Sequence, residues 1–261
     1  MGFLKNMSDS AINFSEYRNF AHSPWKKVIN YLLLIVLILG LPVLLSVVFD
    51  FNRGVDDFIS EFHKEIPDFV LKNGELTMSG EMPLVFEGDG SAVYIDTSGE
   101  TDDSVLDDYD FGIYFSKTEM VSKQSTVEKQ TFSYSVFQEQ EIHKADVENY
   151  LSDSKKFVGF MIIFFGLIYF FLAKLCTAAL LGIVCRLFSS IQNISLRYGQ
   201  VFKITVFALT IPTLFQALHQ ILAPGFIYGW YIYYSIALLY LWFAVRANRS
   251  EIVENDGDLL E

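Results

Sequence analysis

The chain has 261 residues, a net charge of −12 and 52% hydrophobic residues, against an apolar share of roughly 45–50% in soluble domains. The acidity excludes nucleic acid as a partner. The apolar surplus is gathered into blocks, and these blocks set the organisation.

Residues 28–49 are 22 consecutive positions without a charge; at 1.5 Å per residue they reach about 33 Å, enough for a ~30 Å hydrocarbon core. Their length, the 27 residues before them and the lack of a small-residue cleavage site after them predict a retained anchor, not a signal peptide. Ser23 and Pro24 read as a helix N-cap and first-turn proline, and Trp25, Lys26 and Lys27 as headgroup-level residues.

Next, Val55, Phe58, Ile59, Phe62 and Ile66 recur at helical spacing, which predicts a short amphipathic helix ended by Pro67. Short β-type runs follow at 69–71, 76–78, 84–86, 92–95, 111–115, 120–123 and 131–137, separated by turn signals such as Asn73-Gly74. They predict a small, mostly antiparallel sheet domain. Residues 50–156 hold 24 acids, 9 bases and no cysteine, so this domain must fold by packing alone. No glycine or proline interrupts 142–157, which predicts a helix that starts before the next apolar block and enters it through Lys155 and Lys156 without a flexible linker.

The second apolar block, 157–188, would reach about 48 Å, too long for one upright span and too short for two. It predicts a long tilted helix or one bent near Lys174. That lysine falls about 26 Å below the outer edge, near the inner interface, where its side chain can snorkel. Ala178 and Gly182 have the spacing for close helix packing. Blocks 201–222 and 226–245, joined by Ala223-Pro224-Gly225, complete four spans. Arg18, Lys26 and Lys27, then Arg186, Arg197 and Lys203, then Arg246 and Arg249 all fall on one side, which the positive-inside rule makes cytoplasmic.

The expected class is therefore an α-helical integral membrane protein with four transmembrane helices and an extracellular, mostly-β (α+β) domain inserted between the first two. In order, 1–27 is a cytoplasmic segment, 28–49 the first span, 50–156 the acidic external domain and 157–188 the second span. Then come the cytoplasmic loop 189–200, the spans 201–222 and 226–245, and the cytoplasmic acidic tail 246–261. Both termini are cytoplasmic, and the bilayer is the first partner.

Three patterns bear on chemistry. Asp96-Thr97-Ser98-Gly99 resembles one loop of an aspartic protease, which needs two such loops to share a proton. With one copy, either a homodimer assembles the pair, or Asp96 binds turn amides and Gly99 supplies a positive φ. Asp96, Asp102, Asp103, Asp107, Asp108 and Asp110 could together ligate Ca²⁺ or form a solvated acidic loop, although their spacing is not that of an EF-hand. On the third span, Thr205, Thr213, Gln216, His219 and Gln220 lie within about 120° on a helical wheel. Such a stripe binds helices together or lines a path for a substrate or ion, in which case the chain would form a homo-oligomer. Trp230, Tyr231, Tyr233 and Tyr234 read as an interfacial aromatic belt. No nucleotide-binding loop, metal-ligand spacing or catalytic triad is present in the sequence, so neither an enzyme nor a cofactor is expected.

The Ser-Pro-Trp entry to the first span, the external "VYIDTSG" and "YGQVFKITVFALTIPTLFQ" at the third span together resemble the bacterial membrane-protein family called domain of unknown function 1189, over nearly the whole chain. Some members carry the label maltodextrin utilisation protein. The resemblance implies a bacterial plasma-membrane protein that works with membrane protein partners, among them a sugar uptake system. It transfers no site residues.

Overall fold

A computed structural model describes residues 2–125 and 128–249; most of the acidic tail 246–261 lies outside the described residues. The chain runs α1 (Phe3–Ile12), α2 (Tyr17–Ala21), α3 (Trp25–Ile35), a π-helical turn (Val36–Gly40) and α4 (Leu41–Glu65). Eight strands follow: β1 (Phe69–Lys72), β2 (Glu75–Met78), β3 (Leu84–Gly88), β4 (Ser91–Ile95), β5 (Phe111–Phe115), β6 (Glu119–Lys123), β7 (Lys129–Ser133) and β8 (Glu141–His143). The chain then forms α5 (Lys144–Ile191), α6 (Tyr198–Ala208), α7 (Thr210–Leu222) and α8 (Gly229–Arg246). It divides into two compact units, Met1–Phe51 with Val158–Glu261, and Asn52–Phe157.

In the helical unit, the N-terminal segment is part of the core and not a tail. Phe20 stacks on Phe207 at 3.9 Å between ring centroids, and Tyr17 is fully buried. The Tyr31 hydroxyl shares hydrogen bonds with Thr210 Oγ1 (2.7 Å) and Ser10 Oγ (3.0 Å), and the Ser10 hydroxyl donates to Thr210 Oγ1 (2.9 Å). These bonds satisfy three buried hydroxyls that would be costly if left alone. The N-cap of α3 is Pro24, one residue later than expected, because Ser23 turns its hydroxyl back to the Asn19 carbonyl (3.2 Å).

Two prolines leave their mark on the long helices. Pro42 cannot donate to the carbonyl of Ile38, and the helix widens into the π turn Val36–Gly40 immediately before it. Pro212 cannot donate to Ala208, and the expected single helix 201–222 divides there into α6 and α7 around Leu209. The second apolar block is one uninterrupted helix of 48 residues, with no break at Lys174. Its glycines admit the first long helix closely: a Cβ on Gly166 would lie 2.4 Å from Leu44 Cδ2, and one on Gly159 3.1 Å from Val48 Cγ1.

The second unit holds two sheets, β2-β1-β8 and β3-β4-β5-β6-β7. All neighbours are antiparallel except β4 and β5, which are parallel and joined by the acidic segment 96–110. Asn73 and Gly74 both have positive φ, as the tight β1–β2 turn requires. The expected run 131–137 is shorter than predicted: β7 stops at Ser133, whose side chain caps a 3₁₀ turn over Tyr134–Phe137. Leu106 plugs the centre of the five-stranded sheet with Tyr114 and Val121. Gly112 lies beneath it, and a Cβ there would come within 2.7 Å of Leu106 Cδ2 and 2.9 Å of the Ala92 carbonyl. Because the carbonyl is backbone and cannot move aside, Gly112→Ala should destabilise this unit by about 2 kcal/mol, read as faster amide exchange in β4 and β5.

Candidate functional site

The acidic segment 96–110 begins at Asp96. Asp96 is 1% exposed. Its Oδ1 accepts from the Ser98 amide (2.8 Å), the Ser98 hydroxyl (2.6 Å) and the Gly99 amide (3.2 Å). Its Oδ2 accepts from the Thr101 amide and hydroxyl, both at 2.7 Å. Burial raises the carboxyl's pKa, but the bonds from Ser98 and Thr101 together outweigh it and hold the group well below the usual carboxylate range. With five donors on its two oxygens, Asp96 anchors a turn, and Gly99 carries the positive φ that the turn needs.

The other acids do not converge on one another. Asp102 caps Ser104, while Asp103 and Asp107 each pair with Lys129 at 2.8 Å. Asp108 and Asp110 are exposed. Among the described residues no group of three or more His, Cys, Asp or Glu is placed to hold a metal ion.

The helical unit holds a more pointed arrangement. A cavity of about 360 Å³ lies between α5, α7 and α8, lined by Lys174, Gln216, His219, Gln220, Trp230 and Tyr233, among others. Lys174 does not snorkel outward; it is 7% exposed and turns inward. Its Nζ donates to Gln216 Oε1 (2.7 Å) and Tyr233 Oη (3.0 Å) and lies 4.4 Å from the centre of the Tyr233 ring. The depth expected from sequence is also corrected. Lys174 shares a narrow gap with Val36, Leu39, Gly40 and Val43, which places it beside the middle of the apolar run 28–49, about 16 Å from either end.

Among the described residues no carboxylate pairs with this ammonium: its partners are an amide oxygen, a phenol and an aromatic face. Such a cation in a low-dielectric setting is expensive unless an anion approaches it. The cavity beside it provides that approach. His219 closes one wall, its Nε2–H donating to the Phe226 carbonyl (2.9 Å), with Gly229 packed so closely that a Cβ there would meet the imidazole at 2.4 Å.

The predicted stripe is therefore only partly assembled. Gln216, His219 and Gln220 line the cavity, and Thr213 lines the narrow gap next to it. Thr205 stands apart: it is fully buried on α6 and donates to Val201 of its own helix (2.7 Å). Of the aromatic belt, Trp230, Tyr231 and Tyr234 are exposed, whereas Tyr233 faces inward to Lys174. Sequence reasoning missed Lys174 and Tyr233 as site residues. A lysine well inside an apolar block was the available signal, since an ionisable residue at membrane depth usually serves a site.

Fold and site together define a mixed α+β chain with several long apolar helices that could span a membrane and an unneutralised lysine at mid-length among them. Among the described residues three helical stretches are long and apolar enough to cross: Trp25–Glu65, Lys144–Ile191 and Tyr198–Leu222. The fourth expected span is the 18-residue helix Gly229–Arg246, which is not among these three. The chain belongs to the family described as Protein of unknown function (DUF1189), whose model matches residues 4–245. No curated protein and no solved structure matches it.

Proposed function

We propose that the chain is a non-enzymatic, multi-pass protein of the bacterial plasma membrane whose helical unit binds a small ligand carrying a negative charge at Lys174, and which acts through membrane protein partners. In this reading α8 is the fourth span, both termini are cytoplasmic and the acidic β-rich unit is external. The process is oligosaccharide uptake, the one to which the family resemblance points. The observation that supports it is the Lys174 ammonium, buried with only neutral partners beside an aromatic- and amide-lined cavity. Amides and aromatic faces suit a sugar-like body, and the lysine adds a requirement for charge.

Trp230 lines the cavity and can report on it. In lipid nanodiscs, the full chain should change its tryptophan emission on addition of glucose 1-phosphate more than on addition of maltotriose. Lys174→Met should weaken the response at least about tenfold, the value of one buried charge-assisted hydrogen bond. An equal response to the neutral sugar, unaltered by Lys174→Met, would show that the lysine does not select the ligand. A second reading, a transport path, rests on Gln216, His219 and Gln220 lining a cavity and not only bridging helices. Gln220→Leu, which changes the cavity lining without removing a partner of Lys174, should then lower flux in liposomes while assembly stays normal.

A further inference from the structure

We infer that the second unit carries a separate binding site, an apolar groove that takes a small cationic amphiphile with an apolar body and a single ammonium-type head. The groove has a volume of about 680 Å³, within the range of sites that hold small molecules. Its floor comes from both sheets, with Leu71, Leu76, Val93, Ile95, Ile113 and Phe115. One wall is a single face of α4, where Phe58, Glu61, Phe62 and Glu65 follow one another at helical spacing. Most of this lining is neither fully buried nor fully exposed. In a native domain, side chains on facing sheets normally interdigitate to close such a space. Here the aromatic side chains stand around it, and a contiguous apolar surface left open in this way marks a binding site.

Charge decides what fits. Among the described residues, the only carboxylates or cationic side chains lining the groove are Glu61 and Glu65, both exposed on α4. Six lysines of this unit are engaged elsewhere: Lys72 with Glu141, Lys117 with Glu75, Lys129 with Asp103 and Asp107, Lys155 with Asp56, and Lys123 and Lys144 with backbone carbonyls; the other two, Lys64 and Lys156, do not line the groove. Among the described residues, neither Glu61 nor Glu65 has an ion-pair partner. An anionic lipid or fatty acid would meet two carboxylates here and, beyond them, the surplus of acids in residues 50–156. A cationic head gains from both, and Phe58 and Phe62 offer it aromatic faces as well.

The test uses the full chain in nanodiscs of zwitterionic lipid, with empty nanodiscs as the baseline for partitioning. Dodecyltrimethylammonium, dodecyl sulfate and dodecyl maltoside are titrated by calorimetry below their micellar concentrations. Saturable binding above the baseline is expected for the ammonium alone. The double variant Glu61→Gln, Glu65→Gln alters only exposed side chains and should weaken that binding about tenfold, as two partly screened ion pairs would. Val93→Trp, which fills the groove from its floor, should abolish it. Equal binding of the sulfate, an unchanged affinity in the double variant, or heats no different from empty nanodiscs would each overturn the assignment. None of these outcomes depends on Lys174, so the two sites can fail separately.

Discussion

Asp96→Asn is expected to lower the stability of the unit Asn52–Phe157 by about 3 kcal/mol, because it sets a donor against donors in a buried turn. If the amide oxygen replaces Oδ1 and keeps the bonds from Ser98 and Gly99, the amide nitrogen must face the Thr101 N–H and hydroxyl, which both donate. If the amide flips, the conflict moves to Ser98 and Gly99. Neither orientation satisfies all five bonds, and each unsatisfied buried donor carries a desolvation cost. The measurement is amide exchange in β4 and β5, since the Asp96 amide itself donates to the Phe115 carbonyl (2.8 Å) at the end of that pair. Exchange rates indistinguishable from wild type would mean that the carboxylate does not hold the turn.

The same carboxylate sets a pH dependence. Its pKa is lower in the folded chain than in the unfolded one, so its stabilisation is complete at neutral pH and throughout the range above the unfolded value of ~3.9. It declines only as pH falls from there toward the folded value. The wild-type unit should therefore lose this contribution in acid, and Asp96→Asn should lack that acid-dependent component while starting from a lower stability.

Several features were legible in advance because local chemistry dictates them. Asn73-Gly74 demands a tight turn, and Asp96 with Gly99 two residues beyond Thr97 demands an anchored one; both are present. The short β-type apolar runs at 92–95 and 111–115 gave their strands, but not that these two pair in parallel, which depends on where Leu106 packs. The single helix expected at 201–222 divides at Leu209, because the carbonyl that Pro212 leaves without a donor lies four residues back, at Ala208. Burial of Phe20 was invisible because its stacking partner, Phe207, is distant in sequence. Lys174 was misplaced for a related reason. Depth along α5 has meaning only relative to Gly40 and Leu44 on the neighbouring helix, and the register between the two comes from glycine packing that no single segment encodes.

Gln216→Leu should destabilise the helical unit by about 3 kcal/mol, whereas Lys174→Met should leave its stability unchanged or raise it by about 1 kcal/mol. The asymmetry follows from what each change leaves behind. Without Gln216, the ammonium keeps one hydrogen bond, to Tyr233, and the ring face beneath it, and a cation with so few partners is poorly compensated. Without Lys174, the remaining groups are neutral: a methionine fills the stem's volume, and the Gln216 amide and Tyr233 phenol can turn toward the cavity or each other. In the double variant Lys174→Met, Gln216→Leu, the cost of losing Gln216 should nearly vanish, giving a coupling of about 2–3 kcal/mol in a double-mutant cycle. Thermal unfolding of the four proteins in nanodiscs measures it. A lysine that is dispensable for stability but required for the tryptophan response to an anionic sugar is one retained for binding. If Lys174→Met instead unfolds as readily as Gln216→Leu, the lysine is a tie between helices, and the ligand reading of the cavity loses its support.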